Sequence, residues 1–321
     1  GRLVFIGGLV ALGFKATGAV AGHVLSYVAA LGVALWFLYP LIPKSVEYTK
    51  PMYRTMLAFS LPLTLVHGMN FLMSNVDTFL IGYYLTSSEI GIYNIAFQLR
   101  NLLNVIIVTL GFLVPPMLAK LETEGREEEL RDVYQVVTKW VLYLTFPMFV
   151  SFLFLPDLWI GFLFGSKYMS GKTALFILSV GVFFSSSAGL SGSSLVALGN
   201  NRIVMYTAAV SVVINIAFNI LLVPQYGIEG AAMASTLSVI VLETLNIGYL
   251  NHAHSIYPVK PTHLVPVIFT GTIAAVILIY WESSFSHFGI FTGWVLLYAG
   301  TIVTILSEQD RKLAEQIFHD R

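Results

Sequence analysis

Apolar residues run along this chain in long stretches, separated by short polar clusters. About 20 apolar residues carry a helix across roughly 30 Å of hydrocarbon. Nine stretches meet that requirement, at about 18–40, 57–84, 91–118, 137–156, 172–197, 203–223, 229–250, 263–281 and 288–306. A tenth, 3–14, is about twelve residues long and reads as the end of a span that starts earlier. Gly and Pro occur inside the stretches, as membrane helices tolerate. Strands of a membrane barrel would instead alternate at every second residue. The pattern predicts an all-α integral membrane protein, a bundle of about ten transmembrane helices.

Composition sharpens this. The 321 residues are 57% hydrophobic and 11% charged, with a mean hydropathy of +0.80. Soluble domains carry about 25% charged residues, so this surface is built for lipid. Net charge is zero, and nothing points to nucleic acid. Cysteine is absent, which excludes disulfides, zinc–thiolate sites and thiol nucleophiles. Metal-ligand clusters are absent too, as are HExxH and GxSxG, so no metal, cofactor or hydrolase is expected.

Lysines and arginines orient the spans. With the C-terminus in the cytoplasm, thirteen of the seventeen basic residues lie inside and only Lys15, Lys167 and Lys172 outside. Arg100 falls within a span. The expected location is the cytoplasmic membrane, multi-pass, with a cytoplasmic C-terminus.

One repeat is visible. GAVAGHVLS (Gly18 to Ser26) matches GAAMASTLS (Gly230 to Ser238) at both ends, and each follows a glycine step, Gly13-Phe14 or Gly227-Ile228. Transporters are often built from such repeats. If 3–14 corresponds to 203–223, four spans precede residue 1 and the intact protein has fourteen.

The sequence resembles the polysaccharide (O-antigen or lipid-linked oligosaccharide) flippases of the multidrug/oligosaccharidyl-lipid/polysaccharide (MOP) exporter superfamily. The residues that carry the resemblance are SLPLTL (Ser60 to Leu65), VDTFLIGYYLTSSEIGIYNIAFQLR (Val76 to Arg100), FGSKYMSGKTALFILSVG (Phe164 to Gly181), ALGNNR (Ala197 to Arg202) and NIAFNILLVPQYGIEGAAMAS (Asn215 to Ser235). The resemblance implies a MATE/MOP-like bundle. Residues 1–50 would end a first lobe with two helices and a linker, 51–256 form a six-helix second lobe, 257–306 a terminal pair and 307–321 a tail. It also implies a flippase moving an isoprenoid-linked oligosaccharide by alternating access. Its partners would be membrane lipid, a coupling ion (H+ or Na+), and the glycosyltransferases and polymerase of the pathway. The rivals are a multidrug antiporter of the same superfamily and a polyprenyl-dependent glycosyltransferase.

GSKYMSGKT (Gly165 to Thr173) has five residues between its glycines where a phosphate-binding loop needs four, so it reads as a turn starting a span. AKLETEGREEELRDVYQ (119–135) reads as a solvated cytoplasmic loop with a short helix. The tail from Ser307 reads as an interfacial helix or a frayed end. The intramembrane polar residues are more informative, because a carboxylate at the centre of a span costs roughly 2.5–3.5 kcal/mol. His67, Asn70, Ser74 and Asp77 fall in one stripe about 80° wide. Asn94, Gln98 and Asn101 form another, with Arg100 and Asn104 at its edge. These residues are the expected cavity or substrate site. Counting Asp77 back from Leu85 and Arg100 forward from Ile90 puts the two at similar depth, which predicts an ion pair able to pass Arg100 to a pyrophosphate. The Asn215/Asn219 pair reads as interhelical glue, and Glu243 as an interfacial residue.

Overall fold

The computed structural model describes residues 2–41, 50–280 and 287–305. Every regular element among them is a helix. The chain divides into two compact units, Gly1–Phe59 and Ser60–Arg321.

In the first unit α1 (Arg2–Leu9) and α2 (Lys15–Leu38) are joined by one wide turn, Val10–Phe14. Gly13 takes a φ of 92° there, a left-handed conformation that glycine adopts without steric cost. A Cβ at Gly18 would lie 3.0 Å from the Leu9 carbonyl oxygen. The missing side chain lets α2 leave the turn against the end of α1.

In the second unit the helices are tied by turns whose chemistry sets their register. α3 (Lys50–Tyr84) gives way to α4 (Ser87–Thr123) at Thr86. The Thr86 backbone N–H and hydroxyl both donate to the Glu89 carboxylate, at 2.9 and 2.8 Å. That capping arrangement starts α4 at Ser87, four residues before the expected span at 91.

α4 meets α5 (Glu127–Phe154) across residues 124–126, with Gly125 at φ 69°. The loop with a short helix expected over 119–135 is therefore two long helix ends and a tight turn. Glu127, Glu128 and Glu129 occupy the first turn of α5, where the helix dipole favours carboxylates, so the acidic run is a helix start. Arg126 closes the turn by donating to Glu129 and, at 2.9 Å, to Glu124, and these bonds hold its pKa above the ordinary value.

The single span expected over 172–197 is broken. α6 (Lys172–Ala188) ends at Gly189, φ 69°, and α7 (Ser191–Ala197) follows. The cause lies on α5. A Cβ at Gly189 would meet the Thr138 hydroxyl at 2.1 Å, and Tyr134 donates to the Ala188 carbonyl at 2.6 Å.

α8 (Asn201–His254) is continuous in hydrogen bonding but folds back at Gly227, φ 59°. A Cβ at Gly230 would lie 2.3 Å from the Leu222 carbonyl oxygen. Thr207 donates to Asn246 at 2.8 Å and Ser211 to the Ser238 carbonyl at 2.7 Å. The spans expected at 203–223 and 229–250 are thus the two antiparallel arms of α8. Each copy of the repeat follows a positive-φ glycine and packs its leading glycine on a carbonyl of the preceding arm.

α9 (Pro261–Tyr280) and α10 (His287–Ile305) pack on α5. Phe146 touches Trp294 and Tyr298, with ring centroids 5.8 and 5.5 Å apart, and Tyr298 donates to the Tyr143 carbonyl at 2.9 Å. The tail lies outside the described residues. Large apolar side chains such as Phe162, Val213 and Leu296 point outward, and among the described residues five helical segments are long and apolar enough to cross a membrane. Such a surface is stable in lipid and a liability in water. The protein is a multi-pass membrane protein.

Candidate functional site

Asp77 is fully buried, two turns before the end of α3. The short turn at Thr86 brings Tyr93 of α4 opposite it, and the Tyr93 hydroxyl donates to Oδ2 at 2.5 Å. Ser235, on the second arm of α8, donates to the same oxygen. On the first arm Asn215 and Asn219 stand four residues apart, so both face one way. Their Nδ2 groups donate to Oδ1 at 3.3 and 2.8 Å. The fold-back of α8 places Asn215 and Ser235 side by side, 3.4 Å apart. One carboxylate therefore ties together α3, α4 and both arms of α8.

The donors are all neutral, and no ion pair reaches Asp77 among the described residues. Four hydrogen bonds to a carboxylate offset much of the cost of burying one in its charged form. They do not remove the charge. The Oδ1 atoms of Asn215 and Asn219 are meanwhile buried without a partner, and an unmade bond at a buried polar atom costs about 1–3 kcal/mol. A carboxylate, two hydroxyls and two amide oxygens are hard ligands of the kind that hold small cations. If the two amides turn over, both orphaned oxygens face the carboxylate, and a cation between them would satisfy all three groups. A proton on Asp77 would also discharge it.

The expected Asp77–Arg100 ion pair is absent. The depth count started α4 at Ile90, but the Thr86 cap starts it at Ser87, so the residue facing Asp77 is Tyr93. Arg100 lies seven residues further, roughly 10 Å along the helix. It is half-buried, with its Nε shielded and unpartnered and its guanidinium 4.4 Å from the Phe97 ring centroid. Asn94 accepts a long bond, 3.4 Å, from Thr78. Asn101 and Asn104 are half-buried and Gln98 is exposed. The side chains of His67, Asn70 and Ser74 lie outside the described residues. The structure thus gathers Asp77 with Tyr93, Asn215, Asn219 and Ser235 rather than with the polar stripe of α4. The four-residue Asn spacing was the available signal for α8. Tyr93 and Ser235 carry none in a single sequence.

Glu243, read from the sequence as interfacial, is half-buried on α8 and faces α6 and α7. Ser185 of α6 donates to its Oε1 at 2.6 Å and Ser191 of α7 to its Oε2 at 2.5 Å. The break at Gly189 places these two serines around one carboxylate.

Comparison with known proteins adds a family. The sequence model of the polysaccharide biosynthesis protein family matches residues 3–173. The probable low-salt glycan biosynthesis flippase of Haloferax volcanii is 25% identical over 261 residues, covering 79% of this chain and 54% of that protein. The chain thus spans about half the length of that curated relative. Among solved structures, the lipid II flippase MurJ in an inward closed conformation superposes with a TM-score of 0.67 at 17% identity, covering 94% of this chain and 61% of that one. An outward-facing multidrug resistance MATE family transporter of the MOP superfamily gives 0.54 at 14% identity, over 80% of this chain and 61% of that one. The fold is shared with both.

Proposed function

We propose that this chain, which belongs to the polysaccharide biosynthesis protein family, forms part of a cytoplasmic-membrane flippase for lipid-linked oligosaccharide or polysaccharide precursors, driven by a cation held at Asp77. The observation that carries the coupling is the Asp77 shell, a buried carboxylate with neutral donors and two orphaned amide oxygens. Family membership supports a saccharide cargo over drug cations, and the fold supports transport. On this reading the protein is a transporter that does not alter its substrate covalently.

Cation binding would act through packing. Asp77 joins four helical segments, so neutralising it lets them close on one another, and emptying it favours separation or hydration. A ligand shifts such an equilibrium only by its differential affinity for the two states. A site bonded by four segments in one state supplies that difference. Na+ is the preferred ion because the amide oxygens have no use in a proton site.

Arg100 has a separate role in this proposal. Its planar guanidinium, steadied on Phe97 and free at Nε, matches the oxygens of a carrier pyrophosphate. It does so without first leaving Asp77. On this reading glycosyltransferases of the pathway assemble the sugar on its isoprenoid carrier, a polymerase consumes the product, and the C-terminus is cytoplasmic. The test is translocation. Vesicles holding the whole protein should move a fluorescent isoprenyl-pyrophosphate-linked sugar between leaflets faster than protein-free vesicles. Equal rates would refute the reading.

A further inference from the structure

A cavity of about 300 Å³ lies between α4 and the break that separates α6 from α7. Ile107, Val108, Gly111 and Phe112 of α4 form one side, residues 189–193 the other, and Glu243 of α8 completes the lining. None of the lining residues is basic. No ion pair reaches Glu243 among the described residues. We propose that this cavity binds a substituted ammonium ion, with its charge on Glu243 and its apolar part against Ile107, Val108 and Phe112.

Three features select that chemistry. The first is charge. Ionisable residues within membrane spans face cavities or partners and mark functional sites, and here the hydrogen bonds to the carboxylate among the described residues come from two neutral serine hydroxyls. Each carboxylate oxygen has a second acceptor position, so an ammonium N–H can join without displacing a serine. α6 also ends beside the cavity, and the carbonyl end of a broken membrane helix favours cations. A neutral sugar or an anion gains nothing from this potential. The second feature is the α4 wall, which is aliphatic and aromatic. It offers no oxygen to a bare metal ion, whereas an alkyl group can pack against it and the Phe112 ring can face the charge. The third is size. The volume is at the lower end for small-molecule pockets and suits an amine of a few carbons.

The site is built from other residues than the Asp77 shell, so it stands whether or not Asp77 couples transport. An aminolipid headgroup and a soluble amine share this chemistry.

The purified chain in detergent micelles, titrated with butylammonium chloride by calorimetry, tests the proposal. Binding should saturate, weaken at least tenfold for methylammonium, and be unchanged by Asp77→Asn. Glu243→Gln should weaken it at least tenfold. Gly111→Leu should do the same by filling the cavity, since a Cβ there lies 3.9 Å from Leu190 and Ser193 and is tolerated. This second variant leaves Glu243 untouched, so loss of binding does not hinge on one substitution that misfolds. Unchanged affinity in both variants overturns the proposal, as does equal competition by sodium chloride with no dependence on alkyl length. Repeating the titration in nanodiscs with and without phosphatidylethanolamine separates the sources. Inhibition by that lipid supports a headgroup site, and indifference supports a soluble amine.

Discussion

At the scale of single residues, the account turns on how a charge is kept inside a membrane protein. Asp77 was legible in the sequence as a carboxylate in an apolar run, because nothing else explains one there at its cost. Its partners were less so. The two asparagines read as glue between helices and do join helices, but through the carboxylate. Tyr93 looks like any aromatic near a span end until the Thr86 cap fixes the register, which also moved Arg100 out of reach. Tyr93→Phe should lower unfolding stability by about 1–3 kcal/mol, since it removes one donor from a buried ionised acceptor. Thermal unfolding of the purified chain would check this. Asp77→Asn in the same protein should lose less than Tyr93→Phe, since it removes the charge the donors serve. A larger loss for Asp77→Asn would mean that the carboxylate is structural. Arg100 makes a different prediction. In the whole protein Arg100→Ala should abolish transport and Arg100→Lys impair it, because an ammonium holds phosphate as a point charge without the bidentate match. Normal transport by a folded Arg100→Ala protein would remove the proposed pyrophosphate contact.

At the scale of elements, hydrophobic runs gave most of the helices and missed their joints. Span lengths came from a pattern that averages over about 20 residues, whereas joints depend on single close contacts. The arms of α8 were separable because Pro224 and Gly227 stand between two apolar runs. The break between α6 and α7 was not, because Gly189 needs Thr138 opposite it to have a meaning. Acids at 127–129 were read into a solvated loop with a short helix because charge was weighed without its place at a helix start. The same contacts make a graded prediction. Gly189→Ala and Gly230→Ala should each destabilise the chain by more than about 2 kcal/mol, the range for backbone strain and overpacking. The first combines a φ of 69° with a 2.1 Å clash, and the second puts a Cβ 2.3 Å from a carbonyl oxygen. Gly248→Ala, with nothing within 4 Å, should be neutral or slightly stabilising in a helix. Equal effects at all three positions, read from thermal unfolding, would contradict the packing described for α6 and α8.

At the scale of the whole molecule, the fold class and family followed from long apolar runs and a handful of ordered segments. The lobe layout rests on the family resemblance, the fourteen-span count on the repeat, and the orientation on the basic residues. Orientation is open to direct test because the chain has no cysteine. A cysteine at Ser88 should react with an impermeant reagent from outside, and cysteines at Thr123 or Ser255 should not. The reverse pattern would invert the topology and place the turn at 124–126 outside. The central claim, however, is that a cation at Asp77 drives the movement of a lipid-linked saccharide. Its most direct test is translocation in vesicles containing the whole protein, with a sodium gradient imposed and the proton gradient collapsed. The account predicts that the gradient accelerates transfer of the labelled lipid at least tenfold in the parent protein and not at all in Asp77→Asn. The same acceleration in both proteins would contradict it.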